Sequence, residues 1–151
     1  MHAVDVSEEA VKMAAHNARI NGLDDSMSFE QANVFDLLPK LAEEKKHVYD
    51  YIILDPPAFT KSRHTVENAM RGYKEINMRA MRLLPRGGYL ATCSCSHFMT
   101  ESLFCKMLQQ AADDAQVTLR QIEARQQAPD HPILWNVPET NYLKFYLFQV
   151  V

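Results

Sequence analysis

Apolar runs short enough to be strands alternate along this chain with stretches of helical period, and that alternation constrains the fold more than any single motif. A short apolar strand closes at Asp5; Ser7 caps the helix behind it, with Glu8 and Glu9 at the positive end of its dipole. Ala10, Val11, Ala14, Ala15 and Ala18 recur at helical period until Asn21-Gly22 supplies a left-handed stop. "SMSFEQANVF" alternates like a strand, and "DLLPKLAEEKKH" follows as a short helix that tolerates Pro39 only near its start. "YDYIILD" is a continuous apolar run of the kind buried on both faces of a parallel sheet. After "PPAFTKSR" a helix is expected from about His64 to Leu84, interrupted in pattern by Gly72 and stopped by Pro85 and Gly87-Gly88. "YLATCSCS" predicts the next strand and "TESLFCKMLQQAADDA" a helix capped by Thr100. "VTLRQIEAR" and "YLKFYLFQV" predict two closing strands joined by a long proline-bearing loop. The expected class is α/β, with a parallel sheet wound by right-handed crossovers, and such sheets bind ligands beyond the carboxyl ends of their strands. Asp5, Asn33, Asp55 and Cys95 are all expected at those ends.

A chain of 151 residues fits one domain that buries about 70% of its unfolded surface. Its apolar runs are far shorter than the roughly 20 residues of a membrane span, and no basic-then-apolar leader opens the chain, so a cytoplasmic protein is expected. A net charge of −3 argues against a free-standing nucleic-acid binder, because phosphate affinity comes from Lys and Arg. An RNA-directed role needs basic residues clustered locally, or another domain. Cys93, Cys95 and Cys105 match no zinc spacing, and no metal is expected. Residues two apart on a strand have Cα atoms about 6.6 to 6.8 Å apart, at the edge of what a disulfide spans, so a Cys93–Cys95 bridge is not expected.

Taken in order, "AVDVSEEAV", "QANVFDLL", "YDYIILDPPAF", "RGYKEIN" and "GGYLATCSCSHFM" resemble the later part of class I S-adenosylmethionine-dependent methyltransferases. The nearest resemblance is to the bacterial large-subunit ribosomal RNA cytosine-5 methyltransferases of the I type, and it extends through "DHP" and "YLK" near the end. It implies a Rossmann-like, doubly wound sheet. In that family a first strand carries a glycine-rich cofactor loop, preceded by a PUA-type RNA-binding domain and a β-hairpin. With four glycines and no G-x-G, this sequence starts where the second strand should, and it looks like a C-terminal fragment of one methyltransferase domain. Absence of the first strand, central in the family's sheet, implies unpaired edges, exposed apolar surface and a piece that is marginal or self-associating, as a homodimer for instance.

The resemblance also assigns roles. Asp5 would accept from the ribose hydroxyls of S-adenosylmethionine, Val6 would lie against its adenine, and Asn33, with Val34 and Phe35, would meet the adenine amino group. The family usually has Asp where Asn33 stands; the alternative for Asn33 is a strand-end residue satisfying its own turn. Asp55 and Pro56 face the cofactor and the reacting base, Pro57 and Phe59 the base, and Lys61 and Arg63, with His64, Arg71 and Lys74 further on, the RNA phosphates. Phe59 is equally readable as core, and each basic residue as part of a solvated face.

D-P-P followed by an aromatic also occurs in amino-group methyltransferases, so that motif leaves adenine N6, guanine N2 and cytosine C5 open. A cysteine breaks the tie, because methylation at C5 needs a nucleophile at C6 and amino methylation does not. In related enzymes the nucleophile lies seven residues past the second glycine of the G-G turn; counted from Gly88, that is Cys95. Cys93 is then a small core residue, Cys105 a structural one, and Asp55, if burial raises its pKa, a donor to the cytosine N3. The base that removes the C5 proton has no assignment; Ala58 stands where some relatives carry a second cysteine. His97 has no assigned role, and His131 either closes over the site or is structural. The function expected is methylation of cytosine C5 in large-subunit ribosomal RNA. The rivals are an amino methyltransferase and a non-catalytic fragment that only associates.

Overall fold

In a computed structural model, which describes residues 1–44, 49–60 and 62–151, strands and helices alternate through most of the chain. Two compact units are formed, Met1–Leu41 and Ala42–Val151.

The first unit begins with β1 (His2–Asp5), then α1 (Glu8–Ile20), β2 (Ser28–Gln31) and the start of α2 (Val34–Glu44). The Ser7 hydroxyl accepts from the Ala10 amide at 3.2 Å, as a side-chain cap should. Past Asn21, Gly22 takes φ +66°, the left-handed stop expected of it. β1 and β2 pair in parallel, with Asp5 opposite Gln31. One expectation fails here. Pro39 lies inside α2 rather than at its start. The Asn33 side chain accepts from the Phe35 amide at 3.0 Å, and its carbonyl accepts from Leu37 at 2.9 Å. The helix therefore begins at Val34, ahead of the stretch that hydrophobic periodicity marked.

The second unit holds β3 (Tyr51–Leu54), α3 (Val66–Leu83), β4 (Tyr89–Ser94), α4 (Glu101–Ala115), β5 (Leu119–Arg125) and β6 (Lys144–Val150). Its sheet order is β3-β4-β6-β5. β3 and β4 run parallel, as α3 between them requires, whereas β6 is antiparallel to both β4 and β5. The sheet is thus mixed: β3 and β4 keep the parallel pairing that alternation implies, while the last two strands, with no α-helix between them, form an antiparallel pair. The Gly87-Gly88 turn brings the two ends together. Gly87 has φ +91° and donates to the Val150 carbonyl at 2.7 Å, and a Cβ on Gly88 would meet the Pro85 carbonyl oxygen at 3.0 Å.

The strand buried on both faces is β4, not β3. Leu90, Ala91, Thr92, Cys93 and Ser94 are all buried, and β4 lies inside the sheet between β3 and β6. β3 is an edge among the described residues. Its Ile53 is 64% exposed and Tyr51 48%, so the run read as doubly buried presents one open face. The core lies against α3 and α4, which pack on each other. Tyr73, Ile76, Ala80 and Met81 of α3 and Phe104, Met107 and Ala111 of α4 are essentially inaccessible, as the helical spacing of each set requires. Among the described residues no helix is long and apolar enough to cross a membrane.

Candidate active site

In the first unit the carboxyl ends of β1 and β2 lie side by side, joined by the Ala32 amide donating to the Asp5 carbonyl at 3.0 Å. This gathers Asp5, Val6, Asn33 and Val34 on one edge. Asp5 is exposed, with Oδ1 accepting from the Ser7 amide at 2.7 Å. Val6 is 71% exposed, an uncovered aliphatic surface. Asn33 Oδ1 is occupied as a helix cap, the alternative weighed for it, but an amide oxygen has a second lone pair and the amide nitrogen two protons. A carboxylate, an open aliphatic side chain and an amide on one edge are the donor set that fits an adenosine: diol, ring face and ring edge.

In the second unit Asp55 follows β3 and Cys95 follows β4, adjacent parallel strands in which Leu54 is opposite Thr92. The exit loop of β3 is fixed to the turn after β4. Ser96 Oγ donates to the Thr60 carbonyl at 2.9 Å, and both residues are buried. Thr60 in turn shares a hydroxyl–hydroxyl bond of 2.7 Å with Thr65, just ahead of α3.

Beneath the turn lies Tyr73, wholly buried on α3. Its phenol oxygen accepts from Ser94 Oγ at 3.1 Å and also bonds the main chain of Phe59. Burial pushes its pKa up, and the electrostatics of Cys95 and Asp55 act in the same direction. The Phe59 ring packs on Tyr73 with centroids 4.6 Å apart, which is the core reading of Phe59. Neither Tyr73, Ser96 nor Thr60 was singled out from the sequence. Tyr73 shares the helical stripe of Ala69, Ile76 and Ala80, which marks it as core, and only its hydroxyl hints at more.

The three cysteines are free and differ sharply. Cys93 is buried, and burial, with Asp55 and Cys95 nearby, pushes its thiol up to about 11. It stays protonated and inert near neutral pH. Cys105 donates to the Tyr146 phenol at 3.2 Å, and that phenol donates to Glu101 Oε1 at 2.7 Å, a structural chain. Burial foremost, then these bonds, raise the Tyr146 pKa. Cys95 and Cys105 are both half-exposed, but Cys95 lies just past a strand end and makes no side-chain hydrogen bond among those described. Asp55 and Cys95 both act electrostatically on Cys93 and on Tyr73, so both lie near that pair.

Asp55 is exposed, so the burial on which its role as a donor was conditioned is not found. It leaves an edge strand whose outer side is open. Pro56 is half-buried and Pro57 exposed. Of the basic lip, Lys61 lies outside the described residues, as does the side chain of Arg63, whose backbone opens a 3-10 turn over Arg63–Thr65. Arg71 bonds Asn68, and Lys74 pairs with Asp114 at 2.7 Å; these two serve the helix surface. His131 bonds the Tyr142 phenol at 3.1 Å, and the His97 ring stands edge-on to Phe98.

Residues 1–141 match a family model described as a methyltransferase domain. The chain belongs to that family. The chain is 44% identical over 150 residues to a ribosomal RNA large subunit methyltransferase I of Erwinia tasmaniensis, covering 99% of this chain and 38% of that protein. A protein of the same name from Shewanella denitrificans is 47% identical over 142 residues, 93% of this chain and 36% of the relative. The chain therefore spans between 36% and 38% of the length of these curated relatives. Among solved structures, SMU.776 complexed with S-adenosylhomocysteine superimposes with a TM-score of 0.83 at 21% identity, over 99% of this chain and 38% of that one. At that identity the likeness establishes the fold, a Rossmann-like methyltransferase sheet.

Proposed function

We propose that this methyltransferase domain uses S-adenosylmethionine to methylate C5 of a cytosine in large-subunit ribosomal RNA through a covalent adduct on Cys95. The observation that carries the reading is that Cys95, unlike buried Cys93 and Tyr146-bonded Cys105, is half-exposed without a side-chain hydrogen bond among those described, at a strand end tied by Ser96 to the loop that follows Asp55. The name shared by relatives at 44% and 47% identity supports the RNA substrate. Within this reading, residues 1–151 are one part of a longer methyltransferase domain.

Asp5, Val6, Asn33 and Val34 would hold the adenosine of the cofactor. S-adenosylmethionine supplies a methyl group on a sulfonium, electrophilic toward carbon. Cytosine C5 is too weak a nucleophile to take it unaided. The Cys95 thiolate adds to C6, forming a C–S bond and moving the ring electrons so that C5 becomes enamine-like and nucleophilic. Asp55, in its protonated form once the base seated over it excludes water, would donate its proton to N3, where the negative charge of thiolate addition develops. Once C5 carries the methyl group, a base removes the C5 proton, the C–S bond breaks and thiolate is regenerated. Pro57 would border the base, and Lys61 and Arg63 would meet the RNA phosphates.

The test is Cys95→Ala in a chimera where residues 1–151 replace the matching stretch of the Erwinia tasmaniensis relative. Methylation of ribosomal RNA should disappear while cofactor binding, read by calorimetry, persists. Unchanged turnover would defeat the reading and favour amino-group transfer, for which Cys95 is dispensable.

A further inference from the structure

β6 alternates buried and half-buried residues, and its buried face runs Lys144, Tyr146, Phe148, Val150. A lysine therefore stands on the core side of a strand, 8% exposed, where an ammonium is costly unless its protons and charge are answered. Its register neighbour on β4 is Ser94, one residue before Cys95.

Two protons are answered by main-chain carbonyls. Lys144 Nζ donates to Ser96 O at 2.6 Å and to Tyr142 O at 2.7 Å. The first fixes the residue directly after Cys95, and the second joins that turn to the segment leading into β6. Together with the Ser96 hydroxyl on Thr60 and the Ser94 hydroxyl on Tyr73, both residues flanking Cys95 are held while Cys95 itself is left half-exposed. The charge is answered by Cys95 and by Glu101 on α4, the two groups whose anionic forms favour the ammonium. Lys144 also lines a cavity of about 440 Å³, whose other titratable groups are His97 after β4, Glu101 on α4, Arg125 on β5 and Tyr146 on β6.

We propose that Lys144 is the positioning residue for Cys95: its ammonium pins the main chain beside the thiol and places a positive charge next to it. The proton released by Cys95 goes to solvent through its exposed side, and Lys144 keeps its own. Burial lowers the lysine toward about 8, so it is still mostly cationic at neutral pH. Arg125 cannot substitute for it, being committed to Glu123 at 2.5 Å.

This inference deepens the proposed reading but is tested on thiol ionisation rather than turnover, so the two fail separately. The purified 151-residue chain is treated with iodoacetamide across a pH series, and alkylation at Cys95 is followed by peptide mass spectrometry. In Lys144→Met, with thermal melting confirming a folded protein, alkylation of Cys95 near neutrality should slow roughly tenfold. Lys144→Arg should stay close to the parent. A Lys144→Met profile superimposable on the parent overturns the proposal. Should Lys144→Met not fold, the parent protein decides. Capping Cys95 with iodoacetamide removes the thiolate, and the Lys144 titration, read from its 13Cε resonance, should move down because coupling is mutual. An unmoved midpoint overturns the proposal equally.

Discussion

Ser96 donates its hydroxyl proton to the Thr60 carbonyl oxygen at 2.9 Å, joining the loop after β3 to the turn after β4 across 36 residues of chain. Both partners are essentially inaccessible, at 2% and 3% exposure, so neither can turn to water instead. Ser96→Ala leaves a buried carbonyl without that donor and should destabilise the protein by about 1–3 kcal/mol. Urea unfolding measures this as a lower midpoint at unchanged slope.

Tyr73 should separate shape from hydrogen bonding. Tyr73→Phe keeps the ring against Phe59 and Phe104 and removes the acceptor used by Ser94, costing about 1–2 kcal/mol. Tyr73→Ala also empties the space beneath the turn and should cost about 3–5 kcal/mol. Denaturation of both variants beside the parent checks the ordering.

Much of this was legible in the residues. The caps at Ser7 and Thr100, the stop at Gly22 and the helix of α3 follow from local rules, since each depends on a few neighbouring side chains. The position of Cys95 at a strand end, and the burial of Cys93 behind it, followed from the resemblance together with period two. What local reasoning missed was set by distant partners. "YIIL" reads the same whether a strand lies on one side of it or on both, so its exposed Ile53 was invisible. The antiparallel course of β6 is a matter of sheet order, and Lys144 becomes unusual only once its face is known to be the core face. Asp55, whose donor role was conditioned on burial, follows that open strand and is exposed.

Lys144 should shape stability at alkaline pH. Its folded pKa, near 8, lies below the ordinary 10.5, because burial disfavours the cation. Between those values the unfolded chain binds more protons than the folded one, so the lysine's contribution to stability rises with pH across that window. A displacement of this size corresponds to about 3 kcal/mol at full effect. Thermal melts of parent and Lys144→Met from pH 7 to 11 should differ by that rise, present in the parent and absent from the variant.

Cys93 should act with the opposite sign. Its thiol is raised from 9.0 to about 11, so the unfolded chain loses the proton first. The stability it contributes is intact below pH 9 and is lost as pH climbs through about 11. Cys93→Ala should flatten that fall, read in the same melts, at the cost of a small cavity.

The covalent step itself gives the sharpest test. RNA carrying 5-fluorocytosine at the target position takes the thiolate at C6 and the methyl at C5 but has no C5 proton to lose, so the adduct persists. Incubated with the full-length chimera and S-adenosylmethionine, then digested and mapped by mass spectrometry, the enzyme should carry the methylated fluoropyrimidine on the peptide containing Cys95 and on no other residue. A methylated RNA recovered with no protein adduct, or an adduct on Cys93 or Cys105, would contradict the account.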